Sequence, residues 1–207
     1  LPAQAGQRVD LARFPAPQVR YATPGFDAWQ ADFTSHAQMM ARLQALTERP
    51  AVRMEIAGHS ARGLALPVVT LAEGGRWRPE RPTLLLVAHQ HGNEPAPGEA
   101  MLVLLERWGA PESAALLKRV NVVALPRANP DGAAAFKRVG SDGTDINRDH
   151  LLLRTPEARA MAAVATRYRP QVVLDMHEFT AGERWIKKFG GWTSTDVMLQ
   201  SAMTGNL

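Results

Sequence analysis

Apolar and polar positions follow two rhythms along this chain. From Phe26 to Arg49 the apolar residues Phe26, Trp29, Phe33, Ala37, Met40 and Leu43 recur every three or four positions, a stripe that predicts an amphipathic helix. "VRMEIAGHSARGLALPVVTLAE" reads as two strands around a polar turn, His59 to Gly63. Short apolar runs then predict strands over Thr83–Ala88, Val120–Leu125 and Gln171–Met176. Between them fall helices over Gly98–Trp108 and Pro156–Tyr168, the second beginning at Thr155. Strands alternating with helices predict an α/β domain with a largely parallel sheet, to which the early hairpin adds an antiparallel edge. Residues 1–25, with Pro2, Pro15, Pro17 and Pro24, read as an extended N-terminal arm, and residues 26–207 as the domain. In the tail, Asp196–Thr204 has the pattern of a capped helix stopped by Gly205.

Composition narrows this only a little. A chain of 207 residues can bury a substantial core as one domain. It is 45% hydrophobic and 21% charged, and no apolar run approaches the ~18 to 20 residues that span a bilayer. The net charge of +4 comes from scattered arginines rather than a basic run, so no nucleic-acid partner is expected. With no cysteine, disulfides and thiolate metal sites are excluded. The chain opens on Leu1 rather than Met. This suggests that an upstream segment precedes it, with a periplasmic or secreted location slightly favoured.

The polar clusters fall where a site is expected. "HQHGNE" follows one predicted strand, "RANPDG" the next, and "DMHE" closes the last. In open α/β sheets ligands bind beyond the carboxyl ends of the strands. His91 and Glu94 stand as H-x-x-E on a Gly-Asn turn, and such a pair can reach one metal ion. With His177 they make a set of the kind that holds catalytic zinc, which takes three protein ligands and keeps a position for water.

Four spaced motifs agree in order: "HGNEPAPG", "ANPDG", "GTDINRD" and "LDMHE". In these the chain resembles the zinc carboxypeptidases, the funnelin-type metallopeptidases related to pancreatic carboxypeptidase A, over about Phe26 to Glu178. The resemblance implies a mixed, mainly parallel sheet of the eight-stranded type between helices, incomplete here. It implies Zn2+ held by His91, Glu94 and His177, with Asp145 hydrogen-bonded to His91. It further implies that Asn147 and Arg148 hold the substrate's terminal carboxylate and that Arg138, nine residues before Asn147, polarises the scissile carbonyl. The implied partner is a peptide with a free C-terminal carboxylate. Elementary chemistry agrees: a guanidinium fork suits a carboxylate, and an aspartate on the second ring nitrogen fixes a ligand histidine's tautomer.

Other residues read as structural. His89, two positions before His91, shares its strand face by alternation and is taken as supporting the metal ligands or solvated. His36, His59 and His150 are taken as structural, Asp131 as part of the Asn-Pro-Asp-Gly turn, and Glu178 is given no role. The chain also departs from the family: Gly140 stands where an Asn is usual, and the family's base glutamate and capping tyrosine have no match after His177. An N-acyl amino acid amidohydrolase of the succinylglutamate desuccinylase and aspartoacylase type, or a non-catalytic zinc-binding relative, therefore stays open beside a carboxypeptidase.

Overall fold

The computed structural model describes residues 33–178. The predicted arm over residues 1–25 and the predicted tail helix, Asp196–Thr204, lie outside them. Helix α1 (His36–Leu46) lies within the predicted helix but buries Met39, Leu43 and Leu46, so of the predicted stripe only Leu43 is on the buried face, Met40 is half-buried, and Phe33 and Ala37 are exposed. Ser35 is extended and caps the helix, so Phe33 precedes it, and Phe26 and Trp29 lie outside the described residues. The Ser35 side chain accepts from the Gln38 amide while the Gln38 side chain accepts from the Ser35 amide.

Strands β1 (Val52–His59) and β2 (Ala65–Leu71) form the expected hairpin, with an irregularity between Ile56 and Gly58. Strand β3 (Thr83–Ala88) leads into α2 (Ala96–Trp108), and after the short α3 (Ala114–Leu117) comes β4 (Asn121–Leu125). Then follow α4 (Pro130–Ala135), α5 (Pro156–Tyr168) and β5 (Val172–Met176). Among the described residues the sheet has five strands in the order β1-β2-β4-β3-β5. β1, β2 and β4 pair antiparallel, whereas β4, β3 and β5 are mutually parallel, so the hairpin is the antiparallel edge. At the other edge, Val172, Val173 and Leu174 of β5 are exposed.

Side-chain alternation divides the core in two. Leu86 and Ala88 of β3, with Val122 and Ala124 of β4, pack against Met39, Leu43, Met101, Leu102 and Leu105 of α1 and α2. Their neighbours Leu85, Val87, Val123 and Leu125 face Met161 and Val164 of α5. A strand buried on both faces must be apolar throughout, which is why β3 and β4 read as continuous runs. Among the described residues no helix is long and apolar enough to cross a membrane.

Buried polar groups lock this frame. Glu99 on α2 accepts from the Thr34 amide (2.8 Å) and hydroxyl (2.7 Å) at the entry to α1. Arg127, after β4, donates to the Thr34 carbonyl (2.7 Å) and to Nδ1 of His89 (3.3 Å). Burial lowers the Arg127 pKa to about 10, which leaves it protonated at neutral pH. The Asn-Pro-Asp-Gly segment is the start of α4 rather than a bare turn. Asn129 caps the helix by accepting from the Gly132 amide, and Pro130 takes the first helical position. Asp131 does more than form a turn: buried, it accepts from the Ser60 hydroxyl (2.7 Å) and the Arg62 amide (3.0 Å), tying the β1–β2 turn to α4.

Two expectations follow. Asp131→Ala leaves the Ser60 and Arg62 donors without their acceptor, at a cost of about 2 to 3 kcal/mol, read as a lowered urea midpoint with unchanged slope. The second concerns His89, whose pKa is lowered to about 4 by burial and then by Arg127. Between about 6.5 and about 4 the unfolded chain carries a proton on His89 that the folded chain does not. Stability therefore falls as pH falls through that window, by up to about 3 kcal/mol. Urea midpoints from pH 8 to 4.5 should show this slope, and His89→Gln should flatten it.

Candidate metal centre

β3 delivers the chain to the site and the next residue turns it sharply. His89 leaves the strand in the left-handed region, with φ 61°. The alternation that would place His89 and His91 on one face is thereby broken. His89 is buried rather than solvated, and it is not among the grouped metal-binding candidates. Its neutral ring donates from Nε2 to the Gly92 carbonyl (3.1 Å) and accepts Arg127 at Nδ1. The Arg127 cation facing Nδ1 dictates that tautomer.

Two glycines then bring the turn against α4. A Cβ on Gly92 would lie 2.0 Å from the backbone carbon of Gly132, and one on Gly132 would lie 2.4 Å from Asn129 Nδ2. A side chain at Gly92 would push the turn and α4 apart, whereas one at Gly132 would strike the cap Asn129 and the Val139 carbonyl (2.6 Å). Asn129 closes the contact by donating to the Gln90 carbonyl (3.1 Å).

The structure brings His91, Glu94 and His177 together, with one potential ligand atom from each lying within 4.8 Å of the others. Nδ1 of His91 is 2.8 Å from one oxygen of Glu94, and Nδ1 of His177 is 2.8 Å from the other. The two Nδ1 atoms are 3.1 Å apart. Tetrahedral zinc at ~2.0 to 2.1 Å from each ligand separates its donors by about 3.3 Å, so these side chains need little movement to share one ion. β3 and β5 are neighbours in register up to Ala88 opposite Met176, which is why His177 emerges beside the residues that follow β3.

Each histidine gives its outward nitrogen to an aspartate. Nε2 of His91 lies 3.3 Å from Asp145, and Nε2 of His177 lies 2.9 Å from Asp175. Metal-ligating histidines are oriented in this way, because an acceptor on one nitrogen leaves the lone pair of the other pointing at the ion. The Asp175 hydrogen bond raises the His177 pKa against the opposing effect of burial, with Glu94 adding to the rise. For Asp175 the largest single influence, burial, acts upward. It is outweighed by hydrogen bonds from His177 and Gln90, and the carboxyl ends below its ordinary range.

The remaining predicted residues surround this group. Arg138 donates from Nε to Asp145 (3.2 Å) and places Nη1 3.5 Å from Glu94. Asn147 sits on a 3-10 turn, Ile146–Arg148, which Asp145 caps by accepting from the Asn147 amide (3.1 Å). Its Nδ2 approaches His177 Nε2 at 3.4 Å. Arg148 is exposed, with Nη1 donating to the Asn147 carbonyl (3.1 Å), and it does not join the central group. Asp149, buried, holds the far end of the turn by accepting from the Thr155 amide (2.6 Å) and hydroxyl (2.8 Å). The Thr155 backbone donation is the largest cause of its lowered pKa.

Two neighbours were missed in the sequence. Gln90 donates to Asp175 (2.8 Å) and faces His150 Nε2 through its Oε1 (2.8 Å), so His150 adjoins this network rather than standing apart from it. For Asp175 a partial signal was present: it stands two positions before His177, the spacing that shares a face along a strand, although β5 ends at Met176. Nothing in the sequence pointed to Gln90.

Comparison with known proteins agrees with this geometry. The family model described as zinc carboxypeptidase matches residues 38–199. Carboxypeptidase 2 of Trichophyton rubrum is 38% identical over 119 residues, 56% of this chain and 22% of its own length. A metallo-carboxypeptidase from Burkholderia cenocepacia superposes with a TM-score of 0.63 at 21% identity, over 69% of this chain and 40% of that one. A metallo-carboxypeptidase from Pseudomonas aeruginosa, solved with (2-guanidinoethylmercapto)succinic acid, gives a TM-score of 0.60 at 24% identity, over 69% and 39%. The chain thus spans about a fifth of that curated relative and two fifths of those solved structures. With the family model covering most of its length and the histidines and glutamate of its motifs converging in space, the chain belongs to the zinc carboxypeptidase family.

Proposed function

We propose that this chain carries the metal centre of a zinc-dependent carboxypeptidase, which hydrolyses the C-terminal peptide bond of a substrate with a free terminal carboxylate. The observation that carries the reading is the convergence of two histidine nitrogens and one carboxylate, each histidine backed by an aspartate. Family membership supports it, as does the "NPDG" segment, which the amidohydrolase alternative does not call for.

His91, Glu94 and His177 would hold the ion. Zinc bound there supplies Lewis acidity, making water a usable nucleophile near neutral pH and polarising a carbonyl. The chain's own groups do the rest. Arg138, placed between Asp145 and Glu94, offers a cation beside the ion for the charge that develops on the carbonyl oxygen. Asn147 keeps its amide hydrogens available, because the nearby His177 Nε2 has its own proton committed to Asp175. Arg148, exposed on the same turn, holds only the adjacent Asn147 carbonyl through Nη1 among the described residues, a contact it would exchange for the two-pronged grip of a carboxylate.

In the full-length protein His177→Ala should remove stoichiometric zinc, whereas His89→Gln should retain it, as read by metal analysis after dialysis. Full zinc in the first variant and none in the second would reverse the ligand assignment. Arg148→Lys keeps the charge but loses the fork, so it should weaken apparent substrate binding by about 2 kcal/mol or more. Amidated peptides should be poor substrates of the wild type. Equal turnover of amidated and free-acid peptides would contradict the carboxypeptidase reading.

A further inference from the structure

We infer that Asp175 is the positioning residue for His177 and that Gln90 holds Asp175 in that role. This inference rests on the zinc reading above and adds to it a support running between the two segments that supply the metal-binding side chains. A single oxygen, Oδ2 of Asp175, accepts from both His177 Nε2 (2.9 Å) and Gln90 Nε2 (2.8 Å). The first contact is local, since Asp175 and His177 lie two residues apart at the end of β5. The second contact reaches across 85 positions of sequence, from the residue immediately before His91.

Gln90 is unusually well fixed for this task. It is only 2% exposed. Its carbonyl accepts from Asn129 (3.1 Å), and its side-chain oxygen faces His150 Nε2 (2.8 Å). With the amide oxygen engaged by His150, the amide nitrogen is the end presented to Asp175. The backbone that places His91 therefore also places the group that steers His177, so the two histidines are aimed by one turn.

The two histidines differ in how much they need this. The His91 side chain is 4% exposed and enclosed by the turn, and its aspartate contact is the longer one at 3.3 Å. The His177 side chain is 25% exposed, just past an edge strand whose residues are themselves exposed. Packing holds the first ring, whereas the second depends on its hydrogen bond. Asn147 is no substitute, because the atom it turns to His177 Nε2 is an amide nitrogen, a donor facing a donor.

The test uses full-length protein and zinc alone, with the dissociation constant measured by chelator competition and the absorption spectrum of the Co2+-substituted form as a second readout. Asp175→Ala should weaken zinc binding by about 10- to 100-fold and shift the cobalt spectrum, and Asp175→Asn should do so less. Gln90→Ala should act in the same direction by a smaller factor. Because Gln90 works through Asp175, the double variant should bind zinc no more weakly than Asp175→Ala. Urea midpoints of the metal-free forms show whether each variant folds, and if Asp175→Ala does not, Asp175→Asn with Gln90→Ala carries the comparison. Wild-type affinity with an unchanged cobalt spectrum in the Asp175 variants would overturn the inference, as would a Gln90→Ala effect that persists in full once Asp175 is gone. A wild type that takes up no zinc would overturn the metal reading itself.

Discussion

The close approach of Gly92 to Gly132 is the constraint on which the site depends. Two backbones meet there with no room for a Cβ on Gly92. The contact seats the turn carrying His91 and Glu94 on the first turn of α4, whose cap, Asn129, also holds the Gln90 carbonyl. It reaches the Arg138 segment as well, since the Arg138 carbonyl accepts from the Gly92 amide (3.4 Å). One tight packing contact thus sets the positions of two proposed metal ligands, the proposed oxyanion arginine and the side chain that reaches Asp175.

Around that contact the fold separates rigidity from chemistry. The apolar strands β3 and β4, covered on both faces, supply a frame in which alternate residues serve different cores. Buried polar groups then fix the loops at the strand ends: Glu99 and Arg127 on Thr34, Asp131 on the β1–β2 turn, Asp149 on Thr155. Each is met by two or more partners, as a buried carboxylate or guanidinium must be if it is not to destabilise the fold. The carboxylates nearest the proposed ion, Glu94, Asp145 and Asp175, instead face histidines, with Arg138 as the cation between two of them.

Much of this was legible in the sequence, for reasons that can be named. Apolar runs too continuous for a half-exposed sheet predict β3 and β4, and Thr155 before Pro156 predicts the start of α5. The polar clusters at strand ends identify His91, Glu94 and His177 because metal chemistry demands those residue types together. Other features depended on information that a linear pattern does not hold. The early helix was drawn through Phe33 and on to Arg49, whereas the capping box at Ser35 starts it at His36 and it ends at Leu46. His89 was expected on the same face as His91, but its own left-handed φ ends the alternation on which that placement relied. Gln90 escaped notice, and so did the contact His150 makes with it, because the partners involved are 60 or more positions away in the sequence. Asp131 was seen as a turn former, yet its carboxylate is bound to a hairpin 70 residues earlier.

In the reading proposed above, His91, Glu94 and His177 enclose one zinc ion through the inward Nδ1 atoms and the carboxylate. Anomalous diffraction at the zinc edge from crystals of the full-length protein tests it most directly. One peak is expected, ~2.0 to 2.2 Å from Nδ1 of His91, an oxygen of Glu94 and Nδ1 of His177, with both Nε2 atoms still turned to Asp145 and Asp175. A peak held by His89, or one bound through Nε2 of either histidine, would contradict it.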